Sequence, residues 1–151
     1  MYGIIRSGKT ILFLVVFVLI SVSAVNAQNN EQIAYGHFKV SLEYLMAGDY
    51  QNAILYSNQA LRLLPNLVLA YLVRARAYFE LNDFEKAIDD CSQVIRVDRT
   101  NSTAYSIRGN SYRKTGNMER AVTDWEAALK LNPNMEDVRN NLESARISRQ
   151  N

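Results

Sequence analysis

The apolar positions of this chain fall into two patterns. From residue 11 to residue 20 they run without a polar break, and small residues follow at Ser21, Ser23 and Ala24. After residue 28 they become periodic. Ala53, Ile54, Ser57, Ala60 and Leu61 stand at i, i+1, i+4, i+7 and i+8, an apolar and small-residue stripe that predicts an amphipathic helix. Ser41 and Tyr44, Ala75 and Tyr78, and Gly109 and Tyr112 are each three apart, so each pair shares a helix face. Between the stripes stand Gly48, Asn82 and Gly116, residues that tolerate the left-handed conformation closing a helix. Asp49, Asp83 and Asn117 follow them and predict N-caps for the next helix. Pro65 and Pro133 stop the second helix of their units, and Asn66, Asn101 and Asn134 are expected to cap what comes after.

These features recur at a fixed offset. Gly48-Asp49-Tyr50, Asn82-Asp83-Phe84 and Gly116-Asn117-Met118 are spaced by 34 residues, twice. The same offset links Tyr44, Tyr78 and Tyr112, then Ala53, Ala87 and Ala121, then Ile54, Ile88 and Val122. It also links Leu61, Ile95 and Leu129, and, taken twice, Pro65 and Pro133, with Arg99 between them. No insertion interrupts the phase, so the chain is a repeat array of two-helix units.

A 34-residue helix–turn–helix with a small residue, Tyr, Gly-Asp-Tyr, Ala-Ile, Ala-Leu and Pro in this order resembles the tetratricopeptide repeat. The resemblance implies an all-α, right-handed superhelical solenoid. Three repeats are expected at 34–67, 68–101 and 102–135, and a capping helix with a polar tail at 136–151. Val138, Leu142 and Ala145 continue the first-helix stripe into that cap, which covers the last repeat's apolar face. Some positions depart from the pattern. The eighth position of each unit is Gly only in the third repeat, and Cys91 and Ser57 replace the aromatic that Trp125 supplies.

The N-terminus changes the charge picture. Arg6 and Lys9, the ten-residue apolar run and Val25-Asn26-Ala27 read as a secretory signal peptide over 1–27, cut before Gln28, with 28–33 as a lead-in to the first repeat. The alternative is a membrane anchor. Even extended to Val25 the apolar segment is short of the roughly 20 residues a spanning helix needs. Cleavage removes Arg6 and Lys9 from 17 Lys+Arg, leaving as many basic residues as the 15 Asp+Glu. A neutral chain with charges alternating in sign excludes the basic stripe of a nucleic-acid binder. The expected location is periplasmic or secreted.

Candidate chemistry is sparse. A single His37 and a single Cys91 leave no His/Cys zinc site within the chain. No phosphate loop, metallopeptidase motif or nucleophile elbow appears, and no cofactor, small-molecule substrate or enzymatic activity is expected. Glu85, Asp89 and Asp90 read as charge on a solvated helix face. Cys91 lies on the apolar stripe and is expected to be buried. Arg74 and Arg108 occur together with Asp90 and Asp124, sixteen residues later, whereas the first repeat has Val40 and Tyr56 at those positions. Residues that come and go together predict ion pairs across each hairpin.

The resemblance also implies a site. In that family the first helices line a concave groove through set positions, which here are Tyr35, Phe38, Leu42, Leu45 and Met46, then Leu69, Leu72, Arg76, Phe79 and Glu80, then Thr103, Ser106, Asn110, Arg113 and Lys114. The family's two-carboxylate clamp for chaperone C-termini needs Lys, Asn and Arg where this chain has Phe38, Leu42, Val73, Thr103 and Ile107. The expected function is an exported adaptor that takes a protein or peptide segment with apolar and acidic residues. The alternative is a structural subunit whose groove is buried by self-association or a larger envelope complex. Membrane association is expected only if the N-terminal segment is retained.

Overall fold

A computed structural model describes residues 3–148, with side chains from 15–21 and 24–148. Among the described residues the chain forms seven helices and no strand: α1 (Gly3–Met46), α2 (Tyr50–Leu63), α3 (Val68–Glu80), α4 (Phe84–Val97), α5 (Ser102–Lys114), α6 (Met118–Leu131) and α7 (Glu136–Ser148). Residues 149–151 of the expected polar tail lie outside the described residues. Helices pair as α1–α2, α3–α4 and α5–α6, and each second helix packs on the next first helix. α1 also packs on α3, and α3 on α5, closer than α2, α4 and α6 approach one another, so the array curves towards its first helices.

Local chemistry accounts for the turns. Gly48, Asn82 and Gly116 have φ of 76°, 62° and 83°. That conformation lets the N–H groups of Asp49, Asp83 and Asn117 donate back to the carbonyls of Tyr44, Tyr78 and Tyr112 at 2.8–2.9 Å. Asp49 and Asn117 then cap α2 and α6 by accepting from Asn52 N–H and Arg120 N–H. Asp83 makes no such cap, because its carboxylate is held by Lys86.

The expected caps from Asn66 and Asn134 are not made. α3 and α7 begin at Val68 and Glu136, which puts these two residues one position too early. Asn101 is one place later in its repeat and accepts from Ala104 N–H at 3.0 Å. α3 therefore follows Leu67, which supplies no side-chain cap.

The 44-residue α1 runs straight through the expected signal peptide, its cleavage point and the lead-in. No Gly or Pro lies between Gly8 and Gly36 to end it. Among the described side chains of α1, packing starts at the first repeat: Ala34 and Ser41 are fully buried, whereas Phe17, Ile20 and Val25 are 63–67% exposed. Among the described residues no helix is long and apolar enough to cross a membrane.

Three clusters make up the core. Ala60, Leu61, Leu67 and Ala70 join repeats one and two; Ala75, Cys91, Val94, Ala104 and Ile107 join two and three; and Ala121, Trp125 and Ala128 are covered by Val138, Leu142 and Ala145 of α7. Trp125 is fully enclosed, and room for it comes from Gly109. A Cβ at that glycine would stand 2.8 Å from the indole Cδ1. Cys91 is fully buried, and burial pushes its thiol far above the ordinary range, which makes it inert.

Candidate functional site

The paired charges expected across the hairpins are present. Arg74 donates from Nε and Nη2 to Asp90 at 2.8 and 2.7 Å, and Arg108 donates likewise to Asp124 at 2.8 Å twice. Asp90 is thus buried and not on a solvated face, in contrast to Glu85 and Asp89. Each guanidinium turns its third nitrogen, Nη1, to the preceding repeat, Arg74 to Asn58 and Arg108 to the Ser92 hydroxyl at 3.1 Å. One arginine therefore ties three helices.

Each also lies between two tyrosines of its own helix. Arg74 is 5.3 and 6.0 Å from the ring centroids of Tyr71 and Tyr78, and Arg108 is 5.6 and 5.9 Å from those of Tyr105 and Tyr112. Burial opposes the charge on Arg74, but the hydrogen bonds and charge of Asp90 outweigh it and raise the guanidinium further. Burial raises the Asp90 carboxyl, and Arg74 pulls it back only in part. These residues are consumed in holding the array together and leave no free cation for a ligand.

The residues expected to line the groove fall into three groups. Tyr35, Leu42, Met46 and Leu69 are exposed, at 40%, 38%, 81% and 47%. Arg113 and Lys114 are exposed at the end of α5, and neither makes an ion pair. Thr103 is exposed as well, and Ser106 half-buried. Phe38, Leu45, Leu72 and Phe79 are only half-buried and partly spent on packing. Phe38 leans on the cluster around Ala60, Leu72 on that around Cys91, and Phe79 meets Phe84 edge-on at 5.5 Å. Arg76 is neutralised by Glu80 at 2.7 Å.

Asn110 belongs to neither a free groove nor the core. Its Oδ1 accepts from the Trp125 indole at 3.0 Å and from Asn141 of α7 at 3.2 Å. The expected ligand contact at this position is therefore a tie between the third repeat and its cap. Two positions of the absent clamp, Val73 and Ile107, face the core.

Tyr35 and Leu69 share a cavity with Glu31 and Leu64, two residues that the repeat pattern does not single out. Glu31 precedes the first repeat, and Leu64 lies in an inter-repeat turn. The available signal was Leu67, which stands where the third repeat's helix has its cap Asn101.

Comparison with known proteins agrees with this geometry. A family model described as tetratricopeptide repeat matches residues 68–101 and 102–135. No curated protein matches by sequence. Among solved structures, the first such domain of Spaghetti (RPAP3), bound to the HSP90 peptide SRMEEVD, is 28% identical. It superposes with a TM-score of 0.76, covering 80% of this chain and 96% of that one. The first domain of human RPAP3 is 29% identical, TM-score 0.72, with 76% and 91% covered. The Arabidopsis OM64 domain, at 23% identity and TM-score 0.76, covers 78% and 97% and shares the fold. Domains of this fold are protein–protein interaction modules. Two family-model repeats in phase and a superposition over 80% of the chain lead to one assignment: residues 68–135 are tetratricopeptide repeats, in a chain with the helical solenoid fold of such domains.

Proposed function

We propose that the chain is an exported, non-enzymatic adaptor that takes a segment of another protein along its inner wall. The observation that carries this is that Tyr35, Leu42 and Met46, all exposed, share one face of α1 by their helical spacing, and that Tyr35 shares a cavity with the exposed Leu69. Apolar side chains concentrated on one face of a soluble domain mark an interaction site. At the other end of the wall, Arg113 and Lys114 favour acidic residues of the partner. The solved relative from Spaghetti holds a peptide, which supports a peptide-type ligand here. The five clamp positions carry other residues in this chain, so its partner differs from a chaperone C-terminus. A shallow wall with few rigid anchors implies an affinity on the order of micromolar, about −8 kcal/mol.

Export rests on the N-terminal pattern, and the exposure of Phe17, Ile20 and Val25 supports it, because the described side chains before Gln28 contribute nothing to the core. Protein recovered from its host should begin at Gln28; intact mass including 1–27 in a membrane fraction would refute cleavage. Pull-down with the chain from residue 28 tests the wall. Leu42→Asp should abolish capture at any salt, and Arg113→Glu with Lys114→Glu should weaken it mainly at low salt. If both variants keep every partner of the wild type, the wall is not the site. A stable dimer by light scattering, with Leu42 and Met46 protected, would instead establish the self-associating subunit.

A further inference from the structure

A cavity of about 410 Å³ opens at the N-terminal end of the inner wall, between α1 and the start of α3. Its size lies within the roughly 300–1,000 Å³ of ordinary ligand clefts. Leu64, Leu67, Leu69 and the ring of Tyr35 supply apolar walls. Glu31, one helical turn before Tyr35, stands at its rim and pairs with no cation. α3 begins here without a side-chain cap, so the N–H groups of Val68 and Leu69, both residues of the lining, are claimed by no side chain.

These features select a ligand class. The apolar walls favour a large hydrophobic side chain. The uncapped N–H groups favour a carbonyl, while the Glu31 carboxylate disfavours an anion and favours a cation. We infer that this cavity anchors one aromatic or large aliphatic side chain of the bound segment, with a Lys or Arg beside it that pairs with Glu31. The inference rests on the groove reading and adds a direction to it. The basic residue of the partner lies at repeat one, and its acidic residues lie near Arg113 and Lys114. Residues 28–33 are then part of the site and not a spacer.

Two blocked dipeptide amides test this on the chain from residue 28: acetyl-Trp-Lys-amide and acetyl-Trp-Glu-amide, followed by amide chemical shifts at millimolar concentration. Both should move the Val68 and Leu69 signals, with the Lys probe binding roughly threefold more tightly at low salt, the scale of one exposed ion pair. Glu31→Gln, a change at an exposed position, should erase that preference, as should high salt. Leu69→Glu should lose both probes. No shift at Val68 and Leu69, or equal binding of the two probes, overturns the anchor. Partner capture that needs Leu42 while the probes ignore Glu31 overturns the anchor and keeps the groove; capture that survives Leu42→Asp overturns the groove itself.

Discussion

The first repeat and the two that follow reach the same helix packing with different chemistry. In repeats two and three a buried arginine sits between two tyrosines and holds an aspartate across the hairpin. In repeat one the equivalent residues are Val40 and Tyr56. The Tyr56 ring stacks on Tyr44 at 5.3 Å and meets His37 at 6.0 Å, filling with an aromatic contact the place of the ion pair. The reason lies in the neighbour. Arg74 and Arg108 each need an acceptor from the preceding repeat, Asn58 or Ser92, and repeat one has no preceding repeat. An arginine there would lack that inter-repeat acceptor, whereas the uncharged pair needs none. Lys86 and Arg120 lie over the tyrosine of their own repeat, Tyr78 or Tyr112, and Lys86 also pairs with Asp83, whereas the uncharged Asn52 at the matching place only hydrogen-bonds Asp49.

The harshest way to break this comparison is to make the far end terminal as well. Ending the chain after Met135 removes Val138, Leu142 and Ala145 from over Trp125. Repeat three, unlike repeat one, then exposes a large aromatic cluster, and the variant should aggregate or lose its cooperative melt. A soluble variant with unchanged melting temperature would show that α7 is no cap.

Next in size is the charge itself. Asp90→Ala leaves Arg74 with 19% side-chain exposure and no carboxylate, and should cost about 3 kcal/mol by denaturant titration. Writing the repeat-one pair into repeat two, Arg74→Val with Asp90→Tyr, should recover most of that loss, because a stack on Tyr78 can replace the pair. A double variant as unstable as Asp90→Ala would mean that the two solutions are not interchangeable.

Smaller effects separate the repeats by fit. Gly109→Ala pushes a Cβ against the Trp125 indole, which is also held by Asn110, and should cost roughly 1–3 kcal/mol by overpacking. Alanine already fills the matching place in repeat two, at Ala75, opposite the smaller Cys91. At the place of Trp125 and Cys91 repeat one has Ser57, fully buried, with its hydroxyl unpartnered. Ser57→Ala removes that orphan group and should leave stability unchanged or raise it by up to about 1 kcal/mol. A clear loss would reveal a partner for Ser57.

The smallest effect is a pH response confined to the junction of repeats two and three. Repeat two has no Pro65 equivalent, and Asp98 builds its turn by accepting from the Thr100 hydroxyl, Thr100 N–H and Asn101. Those hydrogen bonds, the Thr100 hydroxyl first, lower the Asp98 carboxyl below the ordinary aspartate value. The folded turn thus binds its proton less readily than the unfolded chain. Its contribution is complete above the ordinary value and is lost as pH falls through the lowered one. The Thr100 amide signal should titrate below the ordinary aspartate range, and Asp98→Asn should flatten it. A midpoint at or above the ordinary value would show the turn to be held by something else.

The array was legible in the sequence because its determinants are local and repeat in phase. The left-handed turns at Gly48, Asn82 and Gly116 and the joint appearance of Arg74 with Asp90 needed only an offset of 34 and knowledge of which residues share a helix face. A one-residue shift was enough to defeat local reading at Asn66 and Asn134, which sit beside a capping position and not in it. Tertiary structure alone decided what lies between units. It placed Asn110 against Asn141, 31 residues away, turning an expected ligand contact into a tie to the cap. It spent Phe38, Leu72 and Phe79 partly on packing and left Tyr35, Leu42, Met46 and Leu69 exposed. It also brought Glu31 into one cavity with the uncapped start of α3. A helical periodicity gives the face a side chain occupies, but the angle between successive units, set by how their side chains interlock, determines which faces close and which stay open to a partner.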